Sequence, residues 1–247
     1  MTSSSEACLE ILADADALAR HVAHWLIERI SAQSDRPFAI ALSGGSTPRR
    51  LYELLAGQPY RATLPWERVH WFWGDERFVP YDNPESNYRM VREAMLARVP
   101  VPAANVHPIP TEGLTPEQAA HSYEQQLKDF YGASTLLPDR PLFDVTFLGL
   151  GPEGHIASLF PGTAVLQERT RWVGCVIGAK PEPRITLTYP ALESSREIAF
   201  LVTGAAKRAV LEELLRRNPE LPASRLHPVE GTLRLFVDCA AAPSETR

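Results

Sequence analysis

A chain of 247 residues with 45% hydrophobic and 22% charged side chains can bury a sizeable core under an ordinary polar surface, which excludes a disordered or fibrous protein. The net charge of −5 argues against a general nucleic-acid binder, and no apolar run is long enough to span a bilayer. Cys8, Cys175 and Cys239 fit neither a disulfide framework nor a metal-ligand spacing, and the Ser-rich, then acidic N-terminus (Glu6, Glu10, Asp14, Asp16) lacks a basic start and apolar core, so the cytoplasm is the expected compartment.

Helical and extended segments alternate from the start. Asp14 or Asp16 is placed to cap a helix through Ile30, with Leu18, Val22, Trp25 and Leu26 on one face. His21 and His24 lie on it at i,i+3 without a third ligand and read as surface or packing histidines. Phe38–Leu42 is an apolar strand leading into Ser43-Gly44-Gly45-Ser46-Thr47-Pro48 and a helix from Pro48 to Leu55, with Pro48 expected at the first helical position. Two glycines admit close backbone approach, and exposed amides with hydroxyls at a helix start suit a phosphate. The spacing is neither that of a P-loop nor a dinucleotide fingerprint, and the bland alternative is a capping turn that binds nothing.

Val69–Trp73 is the next strand, with Trp71 and Trp73 read as core. It runs into Gly74-Asp75-Glu76-Arg77, then Asn83-Pro84-Glu85-Ser86-Asn87-Tyr88, and a helix from Asn87 to Val99. An acid beside a base at a strand end can orient a water or hold a sugar hydroxyl. Such a run is more often a solvated ion pair worth about 0–1 kcal/mol. Pro100-Val101-Pro102 and Pro108-Ile109-Pro110 read as loops, and a helix follows from Pro116 to about Phe130.

The most informative stretch comes next. The buried strand Phe143–Leu148 opens into Gly149-Leu150-Gly151-Pro152-Glu153-Gly154-His155-Ile156-Ala157-Ser158-Leu159-Phe160-Pro161-Gly162, with His155 expected in the first turn of a short helix. A titratable imidazole thus sits where a strand of an open α/β sheet ends, the place where such sheets bind ligands. Arg184 opens the alternating run Arg184-Ile185-Thr186-Leu187-Thr188 and is either an anion clamp or a gatekeeper charge on a strand edge. After the strand Ile198–Val202, Thr203-Gly204 leads to a helix from Ala205 to Arg216. Lys207 and Arg208 fall in its first turn, where the dipole disfavours cations by roughly 0.3–1 kcal/mol unless an anion binds. Leu233–Val237 is the last strand.

Continuous apolar strands between amphipathic helices imply an α/β, Rossmann-like, mainly parallel sheet with helices on both faces. With no repeat or long linker, and prolines spread throughout, residues 1–247 read as a single domain. HExxH and CxxC spacings are missing, so no metal is inferred, and a GxSxG elbow is missing too.

Four segments, taken in order, resemble the 6-phosphogluconolactonase family: Ser43–Pro48, Trp73–Arg77, Gly151–Gly162 and Arg184–Thr188. The resemblance spans most of the chain. It implies hydrolysis of 6-phospho-D-glucono-1,5-lactone to 6-phosphogluconate in the oxidative pentose phosphate pathway, with no required cofactor and a small-molecule sugar phosphate as substrate; neither nucleic acid nor membrane is an expected partner, and protein partners are left open. On that basis His155 is the expected general base and Asp75 orients the water or a sugar hydroxyl. Arg77 meets the phosphate or the developing oxyanion, and Ser43, Gly44, Gly45, Ser46, Thr47, Arg184 and Lys207 hold the phosphate. Glu153 and Asn87 are further candidates. Two residues depart from the pattern: Glu153 stands where the family usually has Asp, and Ile156 where threonine is frequent. The related glucosamine-6-phosphate deaminases carry a glutamate where this chain has Phe160, which cannot move protons. A sugar-phosphate-sensing module of a transcription regulator would need a DNA-binding segment that the single helix before the first strand does not supply.

Overall fold

The computed structural model describes residues 7–33 and 35–244; Glu6 of the acidic start lies outside them. In chain order the elements are β1 (Cys8–Leu12), α1 (Ala15–Ala32), β2 (Phe38–Leu42), α2 (Ser46–Leu55), α3 (Tyr60–Thr63), β3 (Val69–Trp73), β4 (Asp75–Arg77), α4 (Asn87–Ala94), β5 (Val106–His107), α5 (Pro116–Tyr131), β6 (Phe143–Leu148), β7 (Val173–Val176), β8 (Arg184–Leu187), α6 (Tyr189–Glu193), β9 (Ser195–Val202), α7 (Arg208–Leu215) and β10 (Thr232–Asp238). Every pairing in the main sheet is parallel, in the order β1-β10-β9-β6-β2-β3-β5.

Local chemistry accounts for the main elements. All residues of β2 and β6 are buried, as expected of central strands covered on both sides. Asp144, inside β6, is tolerated because Arg36 and Arg196 pair with it and the Ala39 amide donates to it at 2.9 Å. Of the two aspartates proposed to cap α1, Asp14 does so, accepting from the Ala17 amide at 2.7 Å. A Thr115–Gln118 capping box opens α5, and Gly132 at φ 73° closes it.

Chain direction reverses at the middle of the sheet. From β2 the chain steps outward to β3 and β5; from β6, on the other side of β2, it steps to β9 and β10. Right-handed crossovers in opposite senses put α2 and α7 on opposite faces. The β2/β6 boundary is therefore the crevice where such sheets take ligands.

Several boundaries differ from expectation. Helix α2 begins at Ser46, so Pro48 is its third residue. The helix predicted to Val99 ends at Ala94, with a 3-10 turn at Leu96–Arg98. The helix predicted from Ala205 is a 3-10 turn, Ala205–Lys207, that continues into α7. A second, antiparallel sheet in the order β4-β8-β7 is an addition that the alternation of elements does not suggest. Its Val173, Val176, Ile185 and Leu187 join the same buried cluster as the main sheet. Trp71 and Trp73 are fully buried, and His21 and His24 engage Glu10 and Tyr60, as packing residues do. Among the described residues no disulfide joins the cysteines, and no helix is long and apolar enough to cross a membrane.

Candidate active site

Adjacent strands β9, β6, β2 and β3 end on one edge and deliver Thr203–Lys207, Gly149–Ser158, Ser43–Thr47 and Asp75–Arg77 to a single cleft of about 360 Å³. Arg184 enters from β8, Lys180 from the β7–β8 loop and Asn87 from the start of α4. The structure thus brings together every site residue expected from sequence except Glu153, which stands beside the lining at His155. A smaller cavity of about 220 Å³ at the opposite edge, walled by leucines and prolines with Glu193 and Arg196, gathers no imidazole and no lysine.

The Asp75-Glu76-Arg77 run is not a solvated ion pair. Asp75 is buried, and its Oδ2 accepts from Ser158 Oγ at 2.6 Å. Glu76 is buried and accepts the amides of Arg77, Asn87 and Tyr88, each at 2.7 Å, and the Ser86 hydroxyl at 3.1 Å, which ties β4 to the start of α4. Burial pushes the Glu76 carboxyl up to about 7 against the pull of those amides. Asn87 donates Nδ2 to the Asp75 carbonyl at 2.9 Å and accepts from Arg77 Nη1 at 3.0 Å. It can do so because Gly44 has no side chain: a Cβ there would fall 2.0 Å from Asn87 Oδ1.

His155 is not in a helix. The Gly151 amide donates to the His155 carbonyl at 2.9 Å, and a tight turn bridges Ile156 and Leu159, with Gly154 at φ 75° and Ala157 at φ 46°. No helix dipole therefore acts on the imidazole; burial instead lowers the His155 pKa below the ordinary 6.5, opposed by the Glu153 and Asp75 carboxylates. Nδ1 is buried 3.2 Å from Glu153 Oε2, close in distance but outside hydrogen-bond alignment. The Phe160 ring packs on the imidazole with centroids 4.8 Å apart.

The ring also lies against Gly151, where a Cβ would fall 2.0 Å from Nδ1. Gly151→Ala is expected to swing the imidazole aside and lower kcat by about 10²-fold, since small misplacements near the chemistry carry costs of that order. Steady-state kinetics and thermal melts together check this; a wild-type rate would show that the contact is unimportant.

The other end of the cleft is cationic. Helix α2 starts at Gly45 (φ 103°) with neither a side-chain cap nor an acid in its first turn, leaving its amides for an anion. Thr47 and Thr203 share a 2.6 Å hydroxyl hydrogen bond across the β2 and β9 loops. Lys207 lines the cleft, whereas Arg208 turns away and donates Nη2 to the Ala240 carbonyl at 2.8 Å. Arg184 sits on the middle strand of the small sheet, so it is no edge gatekeeper. Its side chain is only 11% exposed, Nε is buried without a protein acceptor among the described residues, and the paired carboxylate, Glu182, is 3.8 Å away. Burial and Arg77 both lower its pKa.

Among the described residues, no three His, Cys, Asp or Glu side chains are grouped to hold a metal ion. Ser158, Thr203, Lys180 and Glu76 were missed from sequence. Ser158 and Thr203 carried a readable signal, being hydroxyls beside a strand-end motif. Glu76 and Lys180 carried none beyond a charged run and a proline-rich loop.

A parallel α/β sheet with a cleft at its switch point that gathers an imidazole, carboxylates and cations defines an α/β protein built to take a polar ligand there. A family model described as glucosamine-6-phosphate isomerases/6-phosphogluconolactonase matches residues 13–235, and the chain belongs to that family. A 6-phosphogluconolactonase of Synechocystis sp. is 44% identical over 202 residues, 81% of each chain. One from Nostoc sp. is 40% identical over 238 residues, covering 94% of this chain and 96% of the relative. The crystal structure of 6-phosphogluconolactonase from Thermotoga maritima superposes with a TM-score of 0.79 at 32% identity, covering 94% of this chain and all of that one.

Proposed function

We propose that the protein hydrolyses 6-phospho-D-glucono-1,5-lactone to 6-phosphogluconate, with His155 as general base. The observation that carries the mechanism is one imidazole, with Nδ1 buried beside Glu153, facing the same cleft as an under-paired Arg184. Glu153 favours the tautomer with the proton on Nδ1, leaving Nε2 to accept one from water. That water attacks the C1 carbonyl, and the imidazolium then returns its proton to the ring oxygen as the C1–O bond breaks. Asp75, held by Ser158, orients the water or a sugar hydroxyl. Arg77, steered by Asn87 and the Glu85 carbonyl, meets the developing oxyanion. The α2 start, Lys207 and Arg184 hold the phosphate. A lactone carbonyl is already electrophilic, so general acid–base help of about 10²–10⁴ with positioning suffices.

Phe160, where a deaminase of the family has a glutamate, supports the lactonase over the deaminase: it is apolar, buried and packed at a tilt against the base. The cytoplasm remains the proposed compartment, supported by a cysteine pattern that fits no disulfide framework. A coupled assay tests the reading. Release of 6-phosphogluconate above spontaneous hydrolysis is expected; ammonia from glucosamine 6-phosphate, or neither product, would overturn it.

The pH profile follows from the buried base. Protonated His155 cannot accept a proton, and its pKa lies below 6.5, so kcat/KM is expected to stay level through neutrality and fall only on the acid side of the ordinary histidine range. An acid limb centred above 6.5 would remove burial as the tuning force.

A further inference from the structure

Resting on the lactonase reading, the geometry points to Lys180 as a positioning residue that fixes the direction of the His155 ring through Glu153. Glu153 is shared between the Lys180 ammonium and the imidazole: Oε1 accepts from Lys180 Nζ at 3.1 Å, and Oε2 lies 3.2 Å from His155 Nδ1. Lys180 Nζ also sits 4.9 Å over the Phe160 ring, whose centroid is 4.8 Å from that of the imidazole. The lysine is thus held at two points, and both touch the base.

The pair is half-open to solvent, with 38% of the Lys180 side chain and 35% of the Glu153 side chain exposed, so its direct contribution to stability is small. Its effect is on direction. A glutamate has one more rotatable bond than an aspartate, and at the cleft rim it would spread over several rotamers. Lys180 engages one oxygen and leaves the other facing Nδ1. The lysine comes from the loop joining β7 to β8, the strand that carries Arg184, so one hairpin supplies both the anchor of the base and a phosphate ligand.

The charged groups acting on the His155 ring are Glu153, Asp75 and Lys180, the carboxylates favouring the imidazolium and the lysine opposing it. Removing Lys180 takes away the nearby cation that opposes the imidazolium, so the imidazolium is favoured. Lys180→Met is expected to lower kcat about 3–10-fold with KM little changed, and to move the acid limb upward by roughly half a pH unit. Glu153→Gln moves that limb downward. Lys180→Arg restores most of the rate, and Lys180→Met adds little in the Glu153→Gln background, because the lysine acts through that carboxylate.

Kinetics of the full-length variants, with NMR titration of the His155 ring in the ligand-free protein, decide the matter. A wild-type kcat and an unmoved titration in Lys180→Met overturn the proposal. So does a KM-only effect, or an undiminished kcat effect in the Glu153→Gln background, which would place Lys180 directly on substrate. If the wild type shows no lactonase turnover, the functional reading fails while the ring titration still judges Lys180: an upward shift in Lys180→Met supports the coupling, and none overturns it.

Discussion

Replacing His155 by alanine is expected to lower kcat for lactone hydrolysis by about 10²–10⁴-fold while KM changes little and the fold is kept. The rate loss follows from position: among the described residues, His155 is the only imidazole lining the cleft. Asp75 cannot take over, since its Oδ2 is occupied by Ser158 and it lies under the 2.6 Å hydrogen bond that fixes it. Folding survives because the ring sits at the cleft wall and Nδ1 is buried without an aligned partner, so truncation breaks no hydrogen bond of the core. What remains in the variant is positioning by the phosphate site, which keeps KM near wild type. His155→Gln separates shape from chemistry, filling the space without a base and losing a similar factor. The measurement is initial rate of 6-phosphogluconate release below neutral pH, corrected for spontaneous hydrolysis, beside a thermal melt. A near-wild-type rate in both variants would end the general-base assignment.

The sequence exposes much of this site because several of its segments directly follow buried, mostly apolar strands. Phe38–Leu42 and Phe143–Leu148 can be recognised as central strands from composition alone, and the polar clusters just after them must then share an edge. What stays hidden depends on partners distant in the chain. Strand β4 is Asp-Glu-Arg, three charged residues with no apolar signature, and it becomes a strand only by pairing with Arg184–Thr186. Two-residue β5 is too short to carry a period, and β7, with Gly174 and Cys175, too weakly apolar.

Local backbone geometry explains the correction at His155. Its low pKa can be expected from a helix start, but the turn from Gly151 to Leu159 is made non-helical by the left-handed Gly154 and Ala157. Those two residues aim His155 at the cleft and Ser158 at Asp75, so the local strain serves the site. Burial supplies the shift that the dipole does not.

Arg184→Met is expected to raise KM for the phosphorylated lactone by roughly 10–100-fold while leaving the melting temperature unchanged or higher. A bidentate guanidinium–phosphate contact contributes about 1.5–3 kcal/mol, which is that range in affinity. In the unliganded protein the same guanidinium is a burden. It is nearly buried, its Nε lacks a protein acceptor, its carboxylate neighbour is 3.8 Å off, and Arg77 faces it across the β4–β8 register with like charge. Methionine keeps much of the volume and removes the desolvated cation, so stability and binding move in opposite directions, as expected where a site is organised for a ligand at the expense of the fold. Unphosphorylated glucono-1,5-lactone is the control: its slow turnover should be the same in wild type and variant, because nothing in it reaches for Arg184. Arg184→Lys should recover part of the affinity through charge but not the planar fork. Kinetics on both lactones with a calorimetric melt test all of this. An unchanged KM would take Arg184 out of the phosphate site, and a sharp drop in melting temperature would make it a structural residue of β8.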